Sequence, residues 1–139
     1  MKGSDPFIFD VVFSCAVFHW VLDHERLFAN LRAVLRPGGR LVAQCGGHGN
    51  LARLLEHAPD RRGDWLYATP QDTERRLRDA GFTAARAWLE PKPTQVADKV
   101  AFLETVVFRA HPDAGAVAER VAPRIDELDY VRLNIDARA

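Results

Sequence analysis

Two short stretches hold most of the side chains that could do chemistry: Ser14-Cys15-Ala16 with His19 and Trp20, and Gln44-Cys45 with His48. A histidine titrates near neutrality and can act as a general base, or can sit as a hydrogen-bonded structural residue; both roles are open for His19. Trp20 offers an electron-rich face to a cation, or packs. Gln44 and His48 are placed to touch a small ligand, unless the glycines around them simply form a mobile loop. The pattern Cys15-x3-His19 with Cys45-x2-His48 could gather four metal ligands, but it matches no familiar structural zinc spacing, and no metal is expected. A Cys15–Cys45 disulfide is disfavoured in a reducing compartment.

The elements around these stretches bring them together. Phe9 to Ser14 is an apolar run without strict alternation, as in a strand covered on both faces. A helix is predicted from Asp23, with Glu25 in its first turn and an apolar stripe through Leu27, Phe28, Leu31, Val34 and Leu35. Pro37-Gly38-Gly39 stops it, and Arg40 to Cys45 is a second strand. Strand, helix, strand is the βαβ unit of a parallel sheet, whose sites lie at the carboxyl ends of the strands. The two chemical stretches occupy those ends.

Further on, Gly46-Gly47-His48-Gly49 reads as a flexible loop, and Asn50 as the cap of a short helix from Leu51 to Ala58. Residues 59–68 read as an irregular connection. Thr69-Pro70 starts a helix that ends at Gly81. Phe82 to Glu90 is a third strand, closed by Pro91 and Pro93. Val96 to Ala110 is an amphipathic helix ended by Pro112. Asp113 caps another, whose stripe continues through Val117, Val121, Ile125 and Leu128, with a kink at Pro123. Tyr130 to Arg138 alternates, with Val131, Leu133, Ile135 and Ala137 on one side: a half-exposed, antiparallel strand.

The chain has 139 residues, enough for one domain with its own core. Lysine plus arginine equals aspartate plus glutamate, 19 each, which argues against nucleic-acid or acidic-membrane partners. Arg61-Arg62 and Arg75-Arg76 read as solvated faces. No apolar run reaches the roughly 20 residues needed to span a bilayer. Two unpaired-looking cysteines and no secretory signal make a cytoplasmic setting the expectation. Residues 1–8 read as a leader, and GSDPF resembles a cloning scar.

With these residues in view, the chain resembles class I S-adenosylmethionine-dependent methyltransferases, especially the subgroup with the trans-aconitate methyltransferases. FDVVFS (Phe9 to Ser14) is similar to the family's fourth strand, HWVLDHERLFANL (His19 to Leu31) to its following loop and helix, and LRPGGRLVAQ (Leu35 to Gln44) to its fifth strand. Gly81-Phe82 resembles the entry to the sixth strand, and DYVRLNIDAR (Asp129 to Arg138) the last, antiparallel one. The resemblance implies an α/β fold: the C-terminal half of a Rossmann-like sheet of about four strands, with helices on its faces. Residues 9–139 would form a partial methyltransferase domain with a helical insertion at 95–128, which would pack and could cover an acceptor pocket. The family's glycine-rich cofactor loop is not in the sequence before Phe9.

The resemblance further implies S-adenosyl-L-methionine as cofactor, lined by Ser14, Cys15 and Ala16. His19 and Trp20 would sit near the transferring methyl as the catalytic pair, with Gln44 and His48 toward the acceptor. The expected acceptor is a small molecule, by subgroup a carboxylate. Without a strand on its far side, Phe9 to Ser14 would be an exposed edge, so a homo-oligomer paired through it is expected. The competing reading is a non-catalytic, oligomeric remnant of the fold acting as an interaction module.

Overall fold

Phe9–Cys15 forms β1, and Leu35–Gly46 forms β2 beside it in parallel. Val11 stands against Arg40, Phe13 against Val42 and Cys15 against Gln44. The computed structural model describes residues 8–61 and 64–139. All of the expected leader but Ile8, and Arg62 of the arginine pair, therefore lie outside the described residues. Helix α1, His24–Val34, connects the two strands. The Asp23 carboxylate caps it, accepting the Arg26 N–H at 3.0 Å.

Helix α1 stops before its apolar stripe does. Leu35 is extended (φ −91°, ψ 140°), and Arg36 already belongs to β2. Pro37 disfavours helical backbone at the residue before it, so the helix cannot run into the proline. Leu35 instead pairs with Phe9 and is buried.

The sheet has four strands in the order β1-β2-β4-β3, with β3 at Ala84–Thr94 and β4 at Leu128–Arg138. β4 runs antiparallel to β2, placing Ile135 opposite Ala43 and Leu133 opposite Cys45. The expected α/β sheet with an antiparallel last strand is therefore present. One departure is β3, which continues through Pro91 and Pro93 instead of closing there. It is an edge strand, where a residue without an N–H need not break a ladder.

Alternation gives the sheet two different faces. Leu41, Ala43 and Cys45 of β2 and Leu133, Ile135 and Ala137 of β4 share one core. α1 and α3 (Pro70–Asp79) supply Phe28 and Leu77, both fully buried in that core. Thr69 caps α3, accepting the Asp72 N–H at 3.1 Å, and Pro70 opens the helix as expected. The opposite face presents Phe13, Val42, Gln44, Trp88 and Asn134 around a shallow depression of about 310 Å³.

The chain divides into two compact units. Met1–His48, Trp65–Glu90 and Arg132–Ala139 form the first; Gly49–Asp64 and Pro91–Val131 form the second. In the second, α2 (Ala52–Glu56) is shorter than expected, and Asn50 does not cap it. Leu51 intervenes at φ +55°, and the Asn50 Oδ1 accepts the Val131 N–H at 2.8 Å. Asp129 takes over, accepting the Arg53 and Leu54 N–H groups at 2.8 and 3.3 Å.

Helix α4 is Lys99–Phe102, followed by a π-helical turn at Leu103–Val107. It starts after Val96 because Asp98 is the cap, accepting the Ala101 N–H at 3.0 Å. Helix α5 is Ala114–Val121. Asp113 precedes it but spends its carboxylate on Arg61, not on a cap. Pro123 sits in a separate 3-10 turn, Ala122–Arg124, Ile125 is extended, and Leu128 opens β4. The helical stripe drawn through Leu128 is thus corrected; proline lacks the N–H that a continuing helix needs. No helix among the described residues is long and apolar enough to cross a membrane.

Phe28→Ala removes a fully buried ring between α1 and the sheet and should cost about 3–5 kcal/mol. Thr69→Ala should cost about 1 kcal/mol through the lost cap. Urea unfolding followed by circular dichroism measures both.

Candidate active site at the carboxyl ends of the parallel strands

β1 ends at Cys15, and Ala16 turns the chain off the sheet at φ +59°. That conformation costs a residue with a β-carbon about 1–2 kcal/mol. It is held by the Ala16 N–H, which donates to the Gln44 carbonyl at 2.7 Å. A 3-10 turn, Phe18–Trp20, follows. Phe18 is buried edge-on against Phe28, 6.0 Å between ring centres, so the turn is pinned to the core and leaves His19 and Trp20 at the rim. His24 braces the turn through a 2.8 Å hydrogen bond from its Nε2 to the Phe18 carbonyl.

The His19 Nδ1 accepts the Gly46 N–H at 2.9 Å. With that lone pair used, the neutral ring carries its proton on Nε2 and can only donate there. Burial, aided by the nearby positive charge of Arg132 and by His24, lowers the His19 pKa to about 4. At neutral pH His19 is therefore an uncharged N–H donor. Of the two roles open in the sequence, this hydrogen bond favours the structured donor over the base.

In the glycine segment expected to be a flexible loop, Gly46 ends β2, Gly47 makes an isolated bridge, and His48 and Gly49 form a turn. Gly47 bridges to Ala68, and the His48 N–H donates to the Ala68 carbonyl at 3.0 Å. A β-carbon on Gly47 would lie 2.7 Å from Leu89 Cδ2 and 2.8 Å from Leu133 Cβ, so the close packing requires glycine. The His48 side chain is exposed. Gln44 turns to the open sheet face and donates to the Asn134 Oδ1 at 2.8 Å. Ser14, Ala16, His19 and Trp20 thus lie at one rim, while Cys15 and Gln44 both line the open sheet face and the His48 side chain is exposed elsewhere.

Both cysteines are free. Burial pushes the Cys45 thiol up to about 12, so it stays protonated; Cys15 is exposed. Among the described residues, no three His, Cys, Asp or Glu side chains converge as metal ligands.

Three rim residues were not singled out from the sequence. Trp65 and Tyr67 stack at 5.7 Å with 6° between their planes. Trp65 also meets Trp20 at 5.8 Å, and Tyr67 meets His19 at 6.0 Å. Arg132 faces Gly46 across the β2–β4 pair. The available signal was the Trp-x-Tyr immediately before the Thr69-Pro70 helix start.

Residues 6–43 match the methyltransferase domain family. The chain is similar to the malonyl-[acyl-carrier protein] O-methyltransferase of Methylococcus capsulatus: 36% identity over 80 residues, 55% of this chain and 29% of that protein. It is also similar to the trans-aconitate 2-methyltransferase of Rhizobium leguminosarum, at 31% identity over 113 residues, 81% of this chain and 43% of that one. The chain thus spans less than half the length of these relatives. Among solved structures, it superposes on the phosphoethanolamine N-methyltransferase 2 of Haemonchus contortus, in complex with phosphomonomethylethanolamine and S-adenosylhomocysteine. The TM-score is 0.52 and the identity 20%, over 94% of this chain and 33% of the other. The fold is that of a class I methyltransferase. The strand order, the parallel β1–β2 pair and the antiparallel β4 of this methyltransferase fold put its rim where such sheets bind ligands.

The low His19 pKa sets a pH dependence. Unfolded, His19 takes up a proton near its ordinary value of 6.5; folded, it resists protonation down to about 4. Its contribution to stability is complete above pH 6.5 and is lost as pH falls toward 4. His24, also lowered by burial, acts in the same direction. The urea midpoint should fall over that window, and His19→Gln should flatten the fall. In NMR titration the His19 ring should remain neutral at pH 5.5, about 1.5 units above its folded pKa.

Proposed function

We propose that this chain serves methyl transfer from S-adenosylmethionine to a small-molecule carboxylate. The observation that carries the reading is the Gly46–His19 hydrogen bond. It occupies the lone pair that a base would use and leaves an N–H donor at the rim. A carboxylate acceptor is already an anion and would need no base from the chain. Two relatives are named for trans-aconitate and malonyl-acyl-carrier-protein O-methylation, and both of those acceptors carry carboxylates.

The residues present suit the cofactor. Trp20 is 40% exposed and offers a π face to a sulfonium. The exposed bend at Ala16, at the end of β1, lies at the same rim. Bound there, S-adenosylmethionine supplies an electrophilic methyl group; the chain contributes position and exclusion of water. Calorimetry with S-adenosylhomocysteine tests the reading, with a Kd of about 10 μM expected, some −7 kcal/mol. No heat from a folded chain would overturn it for this chain. With a carboxylate acceptor, the methyl-transfer rate should be flat from about pH 6 to 9; a rise following a basic group argues for a hydroxyl or amine instead.

A second reading is favoured by β1. Phe9, Val11 and Phe13 on this edge strand are 47%, 57% and 74% exposed. Paired antiparallel with a second copy about Val12, β1 would set Val11 beside Phe13 of the other chain and extend the sheet. Under this reading the chain is a non-catalytic module that assembles with itself. Sedimentation should give a dimer or larger species that Val11→Lys with Phe13→Lys converts to monomer; a wild-type monomer at all concentrations rules it out.

A further inference from the structure

Helices α1 and α3 pack side by side and run the same way. The Arg76 Nε of α3 donates to Glu25 of α1 at 3.1 Å, and further along both segments Arg32 donates to the Gly81 carbonyl at 3.2 Å. This register sets Thr73, one turn before Arg76 on the same face of α3, level with the start of α1, where His24 stands. Thr73 is wholly buried and His24 is 1% exposed. Each of the three residues carries a buried polar atom with no protein partner among the described residues: His24 Nδ1, Thr73 Oγ1 and Arg76 Nη1. A helical threonine can turn its hydroxyl to the carbonyl one turn back, but the Thr69 carbonyl is engaged by the Thr73 N–H instead. Buried polar atoms are nearly always hydrogen-bonded, so three of them between the same two helices point to one shared partner.

The chemistry of the three atoms selects that partner. The carbonyls of Phe18 and Val21 both face the His24 ring. A carbonyl only accepts, and a neutral imidazole has one proton to give. The 2.8 Å bond to Phe18 places that proton on Nε2 and leaves a lone pair on Nδ1. Burial, and after it the charge of Arg76, lowers the His24 pKa and keeps the ring neutral. Nδ1 therefore needs a donor, the Arg76 Nη1–H needs an acceptor, and the Thr73 hydroxyl serves as either. An anion would answer Arg76 but meet the Nδ1 lone pair; a metal cation would answer Nδ1 but meet the guanidinium charge. Water donates and accepts at once, and an internal water makes about three hydrogen bonds.

We propose that one internal water is bound between α1 and α3, donating to His24 Nδ1, accepting from the Arg76 Nη1–H and sharing a hydrogen bond with the Thr73 hydroxyl, and that Thr73 and Arg76 are thereby positioning residues for the rim. The water passes the hold of α3 to the His24 ring, from there to the Phe18 carbonyl, and so to the 3-10 turn that carries His19 and Trp20. The site stands apart from the methyl-acceptor reading and holds for any acceptor.

Water-selective NMR on the 139-residue chain is the first test. A long-lived water should give cross-peaks of dipolar sign to the His24 ring and Thr73 methyl protons; their absence overturns the site. The second test is a sign. A buried hydroxyl without a partner is better replaced by a methyl group, whereas one bonded to water is not. Thr73→Val should therefore raise the unfolding constant about tenfold, equivalent to about 1.4 kcal/mol, and Thr73→Ser should stay near wild type. An unchanged or smaller unfolding constant in Thr73→Val overturns the water. The third readout is the rim itself: Thr73→Val should move the His19 and Trp20 ring signals while Thr73→Ser leaves them in place. Unmoved rim signals in folded Thr73→Val overturn the positioning role. The water cross-peaks are read on the unmodified chain and decide the site whether or not Thr73→Val folds, and Thr73→Ala supplies the rim signals if it does not.

Discussion

The hydrogen bond from the Gly46 N–H to the His19 ring ties the end of β2 to the turn that leaves β1. Parallel pairing brings two strand ends to one rim but leaves the loops beyond them free. Here that freedom is removed three times: by Ala16 on the Gln44 carbonyl, by Gly46 on His19, and by His48 on the Ala68 carbonyl. Three hydrogen bonds thus tie the rim to the strand ends.

The same bond settles the chemistry available to His19. An imidazole has two nitrogens, and a backbone N–H aimed at one determines what the other can do. Burial then removes the charged form. What remains on the ring is a neutral Nε2–H donor at the rim. Cys45, three residues before His48 on the other side of the glycines in sequence, is buried and stays a thiol.

Much of this was legible residue by residue. The strand expected at Phe9 to Ser14, which runs one residue further to Cys15, the Asp23 cap, the Thr69-Pro70 start and the alternation of Leu133, Ile135 and Ala137 follow from local chemistry. Three of the errors originate in partners distant in the chain. Asn50 has the right chemistry for a cap, yet Val131 takes its oxygen and Asp129 does the capping. Pro91 and Pro93 look like stops, yet an edge strand tolerates them. Gly46-Gly47 looks loose, yet Leu89, Leu133 and Ala68 close around it.

The sequence by itself determined the βαβ unit, the two-sidedness of β4 and the resemblance that named the fold, because hydrophobic period and capping act over a few residues; it read β1 as covered on both faces, whereas Val11 and Phe13 are exposed. It also placed Ser14, Cys15, Ala16, His19 and Trp20 at one strand end. Only the tertiary structure decided that Trp65 and Tyr67 come back to that end, and that Arg132 stands beside it because an antiparallel β4 enters the sheet there. It alone decided which nitrogen of His19 is free. Such facts depend on contacts between residues tens of positions apart, which leave no periodic trace in the chain, whereas a helix cap or an alternating strand writes its cause within its own few residues.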